Sequence, residues 1–275
     1  MLPEVVEVTF KRNRKCYFLN PNEIDLKVGE FAIVEVDKGE DLGQVTQMGR
    51  LVMLKDIKQE PKSVIRKADT ADMEKLQENR RNEASAFSIG REYIQRRNLN
   101  MKLVDVEYQF DTNKLTFYFT SGQRVDFREL VKDLASKYRT RIELRQISVR
   151  EEAKKLGGIG ICGKQLCCTS FMQNFSPIST TDAKDQNLPM NPSKLSGICS
   201  RLKCCILYEK SFYTSSLERF PPLDSPVPMD RGVGYVDKVD IFNEKVYLRF
   251  EGEEYEEYSL SEVNSCLDPS NSSTN

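Results

Sequence analysis

The chain has 275 residues, of which 39% are hydrophobic and 30% charged, with a net charge of −1. That length accommodates one large domain or two to three small ones, and the apolar content suffices for a packed core. No stretch approaches the ~20 apolar residues of a membrane helix. Histidine is absent, which excludes Ser-His-Asp and Cys-His catalysis, histidine-ligated zinc and a histidine proton shuttle.

The opening residues Met1-Leu2-Pro3-Glu4 show neither a basic n-region nor an apolar h-region. A secretory signal is therefore not expected, and a cytoplasmic protein without membrane insertion is. In that compartment the eight cysteines should be reduced rather than form a disulfide scaffold. The charge is uneven. From Pro222 onward there are four Lys/Arg against twelve Asp/Glu, a balance of −8, so the preceding part carries +7. The acid concentrates in Glu251, Glu253, Glu254, Glu256 and Glu257, and the basic residues in Arg80–Lys102, Lys137–Lys155 and Lys194–Lys210. Such a split permits contact of the basic segments with RNA or an acidic partner; ordinary solvated faces are the plainer alternative.

In chain order, residues 1–66 read as a β-rich unit. Val6, Val8 and Phe10 alternate with polar residues, as do Cys16 and Phe18, and Phe31–Val36 runs into the turn Asp37-Lys38-Gly39-Glu40 and then Leu42–Thr46. Period two with glycine-bearing turns predicts a small barrel or curled sheet. Gln59–Lys67, polar and containing Pro61, reads as a linker. Residues 67–155 follow as a long helix plus a β-β-α-β layer. The helix runs from Asp69 to about Arg97, with Asp69 or Thr70 as N-cap and Met73, Leu76, Ala84, Phe87 and Ile94 on its apolar face. The strands at Val104–Phe110 and Leu115–Phe119 form a hairpin. Asp126 caps a helix bearing Phe127, Leu130, Val131, Leu134 and Tyr138, and Ile142 and Leu144 open another strand. Tyr108, Phe117, Tyr118 and Phe119 have faces that stack on bases, but strand aromatics are ordinarily core.

Residues 156–213 are rich in Gly, Cys, Ser, Asn and Pro with little periodicity, an unusual stretch for a compact domain unless something such as a bound metal organises it. Residues 214–275 read as an acidic β-rich unit with strands at Gly232–Val239, Val246–Phe250 and Tyr255–Leu260, ending in a frayed tail over Asp268–Asn275. The expected fold class is α+β: a small N-terminal barrel-like unit, a central β-β-α-β layer with a long helix, a cysteine-rich loop region and a C-terminal β-rich unit.

Six of the eight cysteines fall in two copies of one pattern, Gly160-Ile161-Cys162-x4-Cys167-Cys168 and Gly197-Ile198-Cys199-x4-Cys204-Cys205, offset by 37 residues. A Cys-x4-Cys loop is long enough to fold two thiolates onto one ion or cluster, and two loops give four thiolates with two to spare. The preceding glycines allow tight turns, and Lys164, Arg201 and Lys203 beside the sulfurs favour thiolates. A metal or cluster site at Cys162, Cys167, Cys168, Cys199, Cys204 and Cys205, in a subset that spacing does not single out, ranks first. Redox thiols come next and merely buried cysteines last. Spacing does not choose between zinc and iron–sulfur. Cys16 and Cys266 stand alone and read as ordinary. Gly157-Gly158-x-Gly160 lacks the Gly-Lys-Ser/Thr ending of a phosphate loop.

Arg150-Glu151-Glu152-Ala153-Lys154, the first cysteine loop, Ala183-Lys184-Asp185-Gln186-Asn187-Leu188, Asn191–Cys199 and Arg201–Cys205 with Tyr208-Glu209 resemble the YaaT (RicT) family. This is the group of cell-fate regulators bearing the conserved C-terminal region named after a polymerase suppressor protein. The resemblance is strongest over Arg145–Glu209. It implies a regulatory, non-catalytic role in a complex that carries 4Fe–4S clusters. RicA-like and RicF-like small helical proteins would be the partners, assisting ribonuclease Y in messenger RNA maturation and influencing development, including the sporulation phosphorelay. A zinc-stabilised RNA-binding module and a thiol redox regulator are the competing readings.

Overall fold

A computed structural model describes residues 4–49, 52, 61–172, 176–252 and 254–267. The chain folds as two compact units, Met1–Gln173 and Asn174–Asn275. The mixed α+β class is as expected.

In the first unit, β1 (Glu4–Thr9), β2 (Lys15–Asn20), β3 (Phe31–Val36), β4 (Gly39–Met48) and β5 (Lys62–Lys67) close into a barrel in the order β1-β2-β5-β3-β4. The alternating residues Val6, Val8, Phe18, Ala32, Val34 and Val45 point inward as a shared core. Strand β5 corrects the linker reading. Ser63–Val64 of the polar stretch is integral to the sheet, because Val64 is buried in the barrel core and pairs with Val34. Gln59 and Glu60 lie outside the described residues.

Helix α1 (Thr70–Arg96) starts from a capping box. The Asp69 carboxylate accepts the Asp72 N–H at 2.9 Å, and the Asp72 carboxylate accepts that of Asp69 at 2.9 Å. The helix lies on a three-stranded sheet, β6 (Lys102–Tyr108), β7 (Lys114–Thr120) and β8 (Arg141–Gln146). β6 and β7 are antiparallel, and β7 and β8 parallel. A parallel pair requires a crossover, and helix α2 (Arg128–Tyr138) supplies it. The N-cap of α2 is Phe127, not Asp126. Asp126 sits one residue earlier, yet its carboxylate still accepts the Arg128 N–H at 3.2 Å. Leu103, Val106, Leu115, Phe117 and Phe119 pack against Ala86, Ile94, Leu130 and Leu134. The apolar face of α1 differs from the expectation at Ala84, which is exposed. The stripe turned inward is Asn79, Glu83, Ala86, Gly90 and Ile94. At Gly90 the helix comes so close to the sheet that a Cβ would stand 3.0 Å from Phe117 and 3.1 Å from Leu103.

The polar alternates of the hairpin are buried too. Asp105, Glu107, Thr116 and Tyr118 are all under 9% exposed. Lys11, in a turn between β1 and β2, ion-pairs with Glu83 at 2.8 Å and Asp105 at 3.0 Å. Arg14 reaches Asp41 at 3.0 Å and Glu107 at 3.3 Å, and the Tyr118 hydroxyl donates to Glu107 at 3.0 Å. This charge layer lets a sheet carry polar residues on a covered face, since buried charges persist when paired.

Helix α3 (Val149–Leu156) leads into the first cysteine copy and the short helix α4 (Cys167–Ser170). The second unit holds α5 (Thr180–Lys184), α6 (Pro192–Leu195) and α7 (Cys204–Leu217). An antiparallel sheet of β9 (Pro226–Met229), β10 (Gly232–Asp240), β11 (Lys245–Arg249) and β12 (Tyr255–Ser259), in the order β12-β11-β10-β9, and α8 (Leu260–Leu267) complete it. The cysteine region is thus not loop throughout. Ala183, Leu195 and Ile206, with Ile178, Leu188 and Leu202 around them, form a small core of their own. Two of its three buried residues, Ala183 and Leu195, sit on helices of five and four residues, too short to show a period. The acids in and beside β12 are largely ion-paired. Glu254 and Glu256 pair with Arg231, and Glu257 with Lys245. Glu253 and the tail Asp268–Asn275 lie outside the described residues. Among those residues no helix is long and apolar enough to cross a membrane.

A duplicated cysteine knuckle as candidate metal centre

The sequence repeat is also a structural repeat. In the first copy Ile159 bridges Gln165, the Gly160 N–H donates to the Lys164 carbonyl at 2.8 Å, and the Gly163 N–H to Gly160 at 3.0 Å. In the second, Ser196 bridges Leu202, Gly197 donates to Arg201 at 2.8 Å, and Ser200 to Gly197 at 3.0 Å. A third bond recurs at the same offset, Leu166 N–H to Gly158 at 3.2 Å and Lys203 N–H to Leu195 at 2.9 Å. Each copy is a narrow hairpin with a three-residue loop, whose last residue is left-handed. That residue is Gly163 at φ +75° in one and Ser200 at φ 57° in the other. A helix then begins at Cys167 or Cys204.

The thiols are placed alike. The Cys162 sulfur folds back to 3.4 Å from where a Cβ on Gly160 would stand, and the Cys199 sulfur to 3.8 Å from that of Gly197. A side chain larger than alanine at either glycine would therefore cover a sulfur. Cys162 is exposed, Cys167, Cys199, Cys204 and Cys205 are half-buried, and Cys168 is buried. In the first copy the adjacent pair differs in exposure, Cys167 being half-buried and Cys168 buried. All eight cysteines are free thiols. Burial pushes the Cys205 thiol up, the neighbouring Glu209 and Cys204 add to this, and Lys203 opposes it. Burial likewise lowers Lys154, against the pull of the Cys168 thiol.

Thiol donors without histidine suit zinc or iron–sulfur chemistry. In number the set is incomplete. Among the described residues no group of three or more Cys, Asp or Glu side chains is gathered to hold a metal ion. The six cysteines divide between the two units, Cys162, Cys167 and Cys168 in one and Cys199, Cys204 and Cys205 in the other. Each knuckle has donors of the right type and too few gathered at one point for a four-ligand site.

Of the residues that brace the second knuckle, Gln186, Asn187 and Asn191 fall in the family motifs, whereas Ser179, Asp182 and Lys210 were not singled out by sequence reasoning. Ser179 and Asp182 form a capping box on α5, and Lys210 of α7 holds the same carboxylate at 2.6 Å. The Lys210 ammonium and the Ser179 N–H keep the Asp182 carboxyl at about 2. The Gln186 amide donates to the Ile206 carbonyl at 2.6 Å, directly behind the cysteines. Asn187 donates to Val239 at 3.2 Å, and Asn191 caps α6 ahead of Pro192. The Ser-x-x-Asp spacing was the available signal.

Two family models match the chain, the PSP1 C-terminal conserved region over residues 62–147 and the third domain of PSP1-like proteins over residues 177–220. These define an α+β protein of the PSP1 type. Stage 0 sporulation protein YaaT of Bacillus subtilis is 44% identical over 237 residues, 86% of each chain. An uncharacterized protein of Schizosaccharomyces pombe is 31% identical over 170 residues, 51% of this chain and 23% of that one. Protein PSP1 of Saccharomyces cerevisiae is 52% identical over 46 residues, 17% of this chain and 6% of that one. None of these names is that of an enzyme. No solved structure matches the fold. The chain belongs to the YaaT family.

Proposed function

We propose that this protein is a non-catalytic, iron–sulfur-dependent regulatory adaptor. In this reading Cys162 and Cys167 of one knuckle and Cys199 and Cys204 of the other contribute thiolates to 4Fe–4S clusters, with Cys168 and Cys205 as further donors. Because one knuckle alone is short of ligands, the set is completed by a partner. The cluster would supply a redox- and oxygen-sensitive link that holds the assembly together. RicA-like and RicF-like small helical proteins are the proposed partners, ribonuclease Y-type messenger RNA maturation the proposed process, and sporulation phosphorelay control a developmental outcome. The name of the Bacillus subtilis relative, a stage 0 sporulation protein, supports the developmental part.

The observation that carries the reading is the recurrence of three backbone hydrogen bonds and one thiol orientation at a fixed offset. Hydrophobic packing alone does not require two separate segments to present sulfur in the same way. An apolar surface suited to a helical partner lies on α7. Phe212 stacks on Phe242 at 6.0 Å, and the two are 52% and 69% exposed. Exposed aromatics in contact mark interaction sites. The test is replacement of Cys162 and Cys199 by serine, reading bound iron, partner co-purification and messenger RNA processing together. All three should fall; unchanged values would reject the adaptor reading.

A further inference from the structure

The first unit holds a polar cleft of about 510 Å³ at the end of the three-stranded sheet where β8 begins. Its walls are Asn79 and Asn82 of α1, Tyr108 at the end of β6, Tyr138 closing α2, and Arg139 and Arg141 entering β8. The volume lies in the range of small-ligand sites, but the lining is not that of an apolar pocket. It offers two phenol rings, the exposed Asn82 amide, the Asn79 amide, whose nitrogen already donates to the Phe110 carbonyl at 3.2 Å and whose oxygen is left to accept, and two guanidinium groups. No lining residue is acidic. The nearby Glu83 carboxylate is already engaged by Lys11, Arg80 and the Tyr108 N–H.

Three observations give the cleft a direction. Several basic residues of the unit are ion-paired, Arg80 with Glu83, Arg96 with Glu92, Arg97 with Asp133 and Lys102 with Glu152. Arg139 and Arg141 form no ion pair among the described residues. Arg139 sits at the C-cap of α2 in the left-handed conformation, φ 49°, a position glycine fills with less strain. The Tyr138 hydroxyl is buried without a hydrogen-bond partner, and a buried polar group ordinarily has one. Burial and the neighbouring tyrosines Tyr108 and Tyr93 push its phenol up to about 12, so it remains a donor.

We propose that this cleft binds an unpaired nucleotide of single-stranded RNA, the base against Tyr108 and Tyr138 with its edge read by Asn79 and Asn82, and the phosphate on Arg139 and Arg141. Aromatic faces, amide side chains and unpaired arginines are the combination that single-stranded RNA requires of a protein. The choice of RNA over a free nucleotide rests on the RNA-processing reading above. The geometry itself is independent of the cysteines and gives the chain a direct RNA contact besides its partners.

The experiment is fluorescence anisotropy of the purified full-length protein with a labelled oligoadenylate of about 12 nucleotides, a length within common single-strand site sizes. Adenosine monophosphate serves as competitor. The wild-type protein should bind in low salt, and the oligonucleotide should bind more tightly than the monophosphate. Arg139→Gly combined with Arg141→Gln should lower affinity tenfold or more. It should also reduce the salt slope by roughly one to two, as the loss of direct phosphate contacts does. Glycine suits the left-handed backbone at 139, so this variant is expected to fold. Tyr138→Phe, which removes only the hydroxyl, should weaken binding severalfold. Absence of low-salt binding, or equal affinity and salt slope in the variants, would overturn the proposal. Equal or tighter binding of the monophosphate would overturn the assignment to RNA. Iron and sulfide content are read on the same preparations, so failure of the cleft and failure of the cluster reading are separable.

Discussion

At the scale of single residues, the two knuckles solve one turn with different side chains. Gly163 meets the left-handed requirement without a Cβ, whereas Ser200 bears one. Gly163→Val should destabilise the first knuckle by about 1–2 kcal/mol, while Ser200→Gly should be neutral or slightly stabilising; chemical denaturation with proteolysis of the loop checks both. The charge layer behaves differently. Removing Lys11 takes one cation from Glu83 and Asp105 but leaves Arg80 on the first and Lys155 on the second, so Lys11→Ala should cost about 2 kcal/mol, read as a shift in denaturation midpoint. Asp182 gives a pH signature. Its folded carboxyl, held at about 2 by Lys210 and Ser179, lies below the ordinary 3.8. The stabilisation is therefore complete above the unfolded value and is lost as pH falls through the folded one. Thermal melts between about pH 5 and pH 2 should show this acid loss, and Asp182→Asn should lack that part of it.

At the scale of elements, what the sequence revealed depended on whether one face met water. Barrel strands with one inward face, such as Val6-x-Val8, were legible from alternation alone. In β6 strict alternation would put Val104 on one face with Val106. A register shift between Leu103 and Asp105 instead puts Val104 with Tyr118 and Ile147 on the opposite face. Polarity is the usual sign of exposure, so the sequence hides the burial of Asp105 and Glu107, which rests on Lys11, Lys155 and Arg14 and on the Tyr118 hydroxyl. On α1 the inward positions include Gly90 and Glu83, residues that no hydrophobic period would select. Overpacking at Gly90 is the corresponding prediction. Gly90→Leu should destabilise by about 1–3 kcal/mol, because Phe117 and Leu103 leave no room for the added atoms. In the second unit, Leu195→Ala should cost about 2–4 kcal/mol and loosen the second knuckle, whose hairpin bonds directly to the Leu195 carbonyl.

At the scale of the whole molecule, the family motifs divide into those that present sulfur and those that brace it. The cysteines and their glycines were visible as a pattern. Gln186 and Asn187 were visible only as resemblance, and the structure gives them backbone carbonyls at Ile206 and Val239 to hold. What sequence could not supply was the division of the cysteines between two units, since contiguity from Cys162 to Cys205 suggests one region. That division leaves each knuckle dependent on a partner for a complete thiolate set. The helix α7 surface at Phe212 belongs to the same argument. Phe212→Ser should leave metal content unchanged while weakening partner co-purification.

The most direct test of the account is iron, acid-labile sulfide and zinc analysis of anaerobically purified protein, alone and with its co-purifying partners, for wild type, Cys162→Ser and Cys199→Ser. The account predicts iron and sulfide in the wild-type preparation and their loss when either knuckle is altered. Stoichiometric zinc without sulfide, or iron that survives both substitutions, would contradict it.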